Sequence, residues 1–203
     1  MTLLTTMNTR TIRQPVVPRS EHNPIQTARL QQAAGKRFKA GLNNVRRNLL
    51  AWVESSIIPR GIAVNRQYRF ELDQTLLDQI ADVIDELIAR YLLPNNQPIG
   101  LQQIISAYQA SSASAATNIV TQTGTAQQQL ESMLMSQPYQ SRISTLSSRV
   151  FNEMDGFNAR LRTELRRTLT DGLVRGDGMD DISRAVTQRV GVNESRALTI
   201  TRT

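Results

Sequence analysis

The chain has 203 residues, of which 39% are apolar and only 4% aromatic, so a core has to be built mostly from Leu, Ile, Val and Ala, which favours packed helices over an aromatic-rich sandwich. No cysteine is present and His22 is the single histidine, which excludes a disulfide scaffold, a thiolate zinc site, cysteine catalysis and a His-based triad or metal centre within one chain. The net charge of +7 is unevenly spread: Lys plus Arg against Asp plus Glu is 12 to 2 in residues 1–70, 1 to 7 in residues 71–140 and 11 to 8 in residues 141–203.

Residues 1–23 are rich in Thr, Arg and Pro, with Pro15, Pro18 and the following Pro24 blocking regular structure, and they lack the apolar core of a secretory signal. They are expected to form an extended basic arm carrying Arg10, Arg13 and Arg19. Asn23 then Pro24 reads as a cap followed by a first-turn proline. From there Leu30, Ala34, Phe38, Leu42, Val45, Leu49 and Trp52 recur every three or four residues and fill an arc of roughly 140° on a helical wheel. Arg29, Lys36, Arg37, Lys39, Arg46 and Arg47 occupy the remainder. Clustered cations of this kind suit a polyanion or an acidic protein surface, because they release condensed counterions or pair with carboxylates. All but two of the 24 cations are arginines, whose forks fit phosphate and carboxylate alike, so the type does not choose between DNA and protein. A basic amphipathic helix also fits a membrane surface or a calmodulin-like groove; Gly35, Gly41 and the plain Leu/Ala face favour a core-packed helix with a solvated or partner-binding outer face. The longest apolar run, residues 49–53, is far short of a membrane span, and no membrane partner is expected.

Residues 55–71 interrupt the helical period with Pro59 and Gly61, and read as a loop with one short strand where Tyr68, Phe70 and Leu72 alternate. Asp73 caps a second helix over 74–93, stopped by Pro94. Opposite its apolar stripe stand Asp78, Asp82, Asp85 and Glu86, which at this spacing can hold a divalent cation, take up a proton, or form an acidic face that is solvated or docked to arginines. One helix supplies all four, which favours the last reading, and no metal or other cofactor is expected. Pro98 opens a third helix over 101–120 whose middle, "SSASAAT", is small and weakly helical; Gly124 is expected to break it within the Gln-rich stretch 121–137.

After Pro138, Ile143, Leu146, Val150, Met154, Phe157, Leu161, Leu165, Leu169 and Leu173 mark one long helix with an eleven-residue repeat, nearly straight, with Gly156 as the expected bend. Its stripe needs a partner along its whole length, from the earlier helices or from neighbouring chains. Gly172, Gly176 and Gly178 punctuate the exit. A short helix around Met179, Ile182, Val186 and Val190 is expected to end at Gly191, with Asn193 capping a last one. This helix-turn-helix pattern admits a DNA-reading role with Arg184, Arg189 and Arg196 near phosphates, although the local acids Asp177, Asp180 and Asp181 oppose it. Arg175-Gly176-Asp177 spells an adhesion tripeptide that recurs by chance, and the Gly-Lys-Ser/Thr end of a phosphate loop is missing. An enzyme would need carboxylates from separate elements, such as Asp78 and Asp82 meeting Asp177, Asp180 and Asp181.

The order Leu169, Gly172, Leu173, Gly176, Gly178-Met179, Ile182, and then Arg196-Ala197, Ile200 and Arg202-Thr203, resembles the phage Mu F-like minor head protein, or head morphogenesis, family. The upstream "AYQASSASAATNI" is similar to the alanine-rich helix that precedes the long helix in that family, so the resemblance spans residues 98–203. Family members continue the Arg-Thr motif with a Glu and a further region, whereas this chain stops at Thr203; it is either part of a longer product or a minimal version, and the missing cap beyond Ile200 favours the former. The resemblance implies a non-enzymatic structural role inside the capsid of a tailed phage, in contact with the portal protein and other head proteins, in assembly, DNA packaging or release. The expected fold is all-α: an arm (1–23), a helical region (24–137), and a long helix with the C-terminal motif in short helix-turn-helix elements (138–203). The competing reading is a DNA-binding protein that uses its arginine-rich first third.

Overall fold

The computed structural model describes residues 28–64, 67–123, 132 and 135–200. Arg10, Arg13 and Arg19, the Asn23-Pro24 cap, Gly124, Arg202 and Thr203 lie outside the described residues. The fold is all-α, with one small hairpin: α1 (Ala28–Trp52), β1 (Ile62–Val64), β2 (Gln67–Arg69), α2 (Gln74–Leu92), α3 (Leu101–Thr123), α4 (Gln137–Arg175) and α5 (Met179–Ile200). None of the described helices is long and apolar enough to cross a membrane.

The apolar stripe of α1 is buried as its spacing requires, at Ala34, Phe38, Leu42, Val45 and Leu49. Its helical path does not stop near Ser55, however. One π-helical turn, Val53–Ile57, and a 3₁₀ turn, Ile58–Arg60, carry it on. In a regular α-helix, residues spaced by four drift about 40° per step, and the widened turn cancels that drift so that Val53 and Ile57 stay in the core with Leu49. Pro59 sits at the start of the 3₁₀ turn, where its missing N–H costs no helical hydrogen bond. The expected single strand is a two-stranded antiparallel hairpin in the register Ile62↔Arg69, Ala63↔Tyr68, Val64↔Gln67. Tyr68 and Phe70 stack at 5.8 Å over Gly61, where a Cβ would come within 2.7 Å of the Phe70 ring.

Asp73 caps α2 as its position predicts, its Oδ1 accepting from Leu76 N at 2.8 Å. Leu76, Ile80, Ile84, Leu87, Ile88 and Leu92 face the core. Gly41 allows α1 and α2 to cross closely, since a Cβ there would lie 2.8 Å from the Tyr91 carbonyl oxygen. In α3 Leu101 is the one buried side chain among those described, and Tyr108 stacks on Tyr139 of α4 at 6.0 Å.

The 39-residue α4 is the spine of the molecule and runs through Gly156 without interruption. Its stripe from Val150 to Leu173 is buried by the chain's own α1, α2, α3 and α5, with Phe157 packed edge-on against Phe38 at 6.2 Å. Each of Leu161, Leu165 and Leu169, fully buried, contributes roughly 1.5–3 kcal/mol of transfer free energy. The C-terminal expectation needs correction. In place of two short helices around a turn at Gly191, α5 is one 22-residue helix. Ile182, Val186, Val190 and Asn193 are all buried at spacings of four, four and three, so the helical phase never breaks. Burial along that continuous stripe outweighs the weak helix propensity of one glycine, about 1 kcal/mol.

Candidate partner surface and C-terminal clamp

Over its 25 residues α1 has no acidic side chain, while Arg29, Lys36, Arg37, Lys39, Arg46 and Arg47 ride on it. Seven and eleven residues are close to whole numbers of turns, so Arg29, Lys36 and Arg47 lie within about 20° of one line along the helix. All three are exposed, opposite Phe38, Leu42 and Val45. Lys39 Nζ lies 2.9 Å from Glu194 Oε1 of α5, and Arg47 Nη2 donates to Asn44 Oδ1 at 2.9 Å. Lys39 is the one α1 cation with an ion-pair partner among the described residues. Lys36 and Arg47 thus lie with Arg29 on the outer line of α1, Arg37 and the half-buried Arg46 flank that line about 90° to either side, and Lys39, on the Arg46 side, turns toward α5.

On α2 the carboxylates go separate ways. Asp78 accepts from Gln74 Nε2 at 2.8 Å and Glu86 from Arg90 Nη2 at 2.7 Å. Asp85 Oδ1 lies 2.8 Å from Arg162 Nε of α4, an ion pair set off the N–H axis so that Nε has no aligned hydrogen bond. Arginine docking of the acidic face therefore occurs at Asp85. Among the described residues no group of three or more His, Cys, Asp or Glu is placed to hold a metal ion, so Asp78, Asp82, Asp177, Asp180 and Asp181 do not assemble into one.

The glycine run has a defined backbone role. Gly176 ends α4 at φ 76°, and Gly176 N donates to Leu173 O (3.1 Å) while Asp177 N donates to Gly172 O (2.9 Å), the paired bonds of a Schellman cap. A Cβ on Gly176 would collide with the Tyr68 carbonyl oxygen, and Tyr68 N donates to Gly176 O at 3.0 Å, so the hairpin docks on the helix exit. A Cβ on Gly172 would press within 3.3 Å of Ile182 Cγ1, and Gly178 lies beside the Tyr68 ring. Arg175 is tied back to Asp177 Oδ2 at 2.7 Å, and that hydrogen bond and charge hold its guanidinium above its ordinary pKa. The adhesion tripeptide is therefore a helix cap.

Arg196 Nη1 reaches Glu164 Oε1 of α4 at 3.3 Å, and the buried Asn193 donates to Glu164 Oε2 at 2.7 Å and to Arg189 O at 3.0 Å. Burial raises the Glu164 pKa, but the hydrogen bonds from Asn193 and Arg196 and the charges of Arg196 and Arg189 outweigh it, and the carboxyl sits below its ordinary value. Glu164 and Asn193 with Arg196 clamp α5 onto α4, and Lys39–Glu194 adds α1. Ala197 and Ile200 continue the same helix. There is no turn at Gly191, and of the three arginines named for phosphate contact Arg184 pairs with Asp181 and Arg196 with Glu164.

Sequence reasoning missed Glu164, Glu194 and the inward role of Asn193. A signal for Asn193 exists: it continues the Ile182, Val186, Val190 spacing on to Ala197 and Ile200. Asn158 is also fully buried on α4, with neither amide atom hydrogen-bonded among the described residues. No family model matches the chain, and no curated protein and no solved structure matches it.

Proposed function

We propose that this chain is a structural minor head protein of a tailed phage, working inside the capsid at the portal vertex in head assembly, DNA packaging or ejection, with no catalytic step of its own. The observation that carries the reading is the outer face of α1, where Arg29, Lys36, Arg37 and Arg47 are exposed and no carboxylate among the described residues pairs with them. Cations left unpaired by the fold attract an external anionic surface, and guanidinium forks fit carboxylates on a portal ring. The resemblance of the Gly172, Gly176, Gly178 and Arg196 region to Mu F-like head proteins supplies the biological setting: assembly in the host cytoplasm, then residence in the virion. Isolation of heads from a phage encoding the chain tests this. Crosslinks from α1 to the portal protein are expected, and heads devoid of the chain contradict it.

The same unpaired line of Arg29, Lys36 and Arg47 favours a second reading, contact with packaged DNA. Salt separates the two. Each phosphate contact contributes a slope of about −0.9 in log affinity against log salt on duplex DNA, so a face with three contacts loses affinity steeply and each neutralisation flattens the slope. A purely portal-directed face binds DNA no better after its arginines are retained than after they are removed.

A further inference from the structure

Helices α2 and α4 enclose a groove of about 650 Å³ that the portal reading leaves unused. Leu77 and Ala81 of α2 and Ala159 of α4 give it an apolar floor. Its two rims have opposite charge. The α2 side bears Asp85, with the exposed Asp78 and Asp82 within about 11 Å of it along the helix at 1.5 Å per residue. Arg162, Arg166 and Arg167 form the α4 side. Asp85 and Arg162 satisfy each other across the groove, but Arg166 and Asp82 have no ion-pair partner among the described residues, and Arg167, 81% exposed, lies 3.5 Å from Asp171.

We propose that this groove is a self-association surface, on which two copies of the chain pack about a two-fold axis running along the groove. Rotation about that axis exchanges the rims, so the acidic α2 edge of each copy faces the arginine α4 edge of the other; rotation about an axis across the groove would set acid against acid. The isologous arrangement places the acidic α2 rim of one copy over the arginine α4 rim of its partner. A second copy is the occupant that the charges select. The arm, with Arg10, Arg13 and Arg19 against Glu21 alone, complements the acidic rim but opposes the arginine rim, and a purely acidic helix does the reverse. Another copy presents both signs in the required order.

Sedimentation of the full chain at about 100 μM tests the proposal, with low salt expected to give a dimer and high salt, where charges beyond ~3 Å are screened, a monomer. The variant R166E/R167E makes both rims acidic, and D78K/D82K makes both basic. Each alone is expected to be monomeric with the helical circular dichroism of the original chain, while an equimolar mixture forms a heterodimer, because every acidic rim then meets a basic one. A monomeric original chain at low salt overturns the proposal, as does a mixture that stays monomeric while the original chain dimerises, or a dimer that high salt leaves intact. Should a charge reversal reduce helicity, R166Q/R167Q takes its place, and unchanged dimerisation in that variant overturns the proposal.

Discussion

The arginines of α1 and six of those on α4 and α5 are the same side chain in two situations. On α4 and α5, Arg149, Arg162, Arg167, Arg175, Arg184 and Arg196 each face a carboxylate of the chain, and two of these pairs, Arg162–Asp85 and Arg196–Glu164, join separate helices. On α1, among the described residues, only Lys39 does so. Most exposed pairs contribute about 0–1 kcal/mol to stability, so the paired set is chiefly a means of positioning helices while the unpaired set is free to bind. Surface charge therefore divides into a committed part and an available part, and composition alone does not separate them.

Stability should report the committed part and ignore the available one. The upper reference is the core itself: Leu165→Ala on α4 is expected to cost about 2–5 kcal/mol in urea unfolding, by lost burial and a cavity. Next comes the clamp. Asn193→Ala removes a buried donor to Glu164 and should cost about 1–3 kcal/mol, whereas an unchanged urea midpoint would mean that α5 is held by its apolar stripe alone. The clamp is also pH-dependent. Because the folded Glu164 carboxyl lies below its ordinary value of 4.5, its contribution is complete above that value and is lost as pH falls through the lower folded value. The stability gap between the original chain and Glu164→Gln should thus be constant at neutral pH and narrow under acid. Asn158→Leu is expected to gain about 1 kcal/mol by removing a buried amide without partners, read as a raised Tm. Smallest of all, Arg29→Gln, Lys36→Gln and Arg47→Gln should each shift stability by less than about 0.5 kcal/mol.

The helices and their inward faces were legible because their spacing is regular: Phe38, Leu42, Val45 and Leu49 on α1, and Val150 to Leu173 on α4, are buried where the pattern puts them. The Asp73 cap was legible for the same local reason. Three features were not. The π-helical turn at Val53–Ile57 is selected by the core, which Ile57 reaches only if the turn widens. The hairpin depends on a docking site at Gly176 more than a hundred residues away. Gly191 and Asn193 look like a stop and a cap, yet the apolar stripe carries the helix through both. Local punctuation misleads where a continuous buried stripe runs across it. For the candidate site, sequence located the cations of α1 but not which of them the fold would neutralise, since Glu194 and Glu164 meet Lys39 and Arg196 only through tertiary packing.

The most direct test of the available face is the triple variant Arg29→Gln/Lys36→Gln/Arg47→Gln, compared with the original chain for co-purification with the portal protein from assembled heads. The account predicts that the original chain is retained and the variant lost, with both unfolding at the same temperature. Equal retention of the variant would contradict it, because the partner would then be held by some other surface.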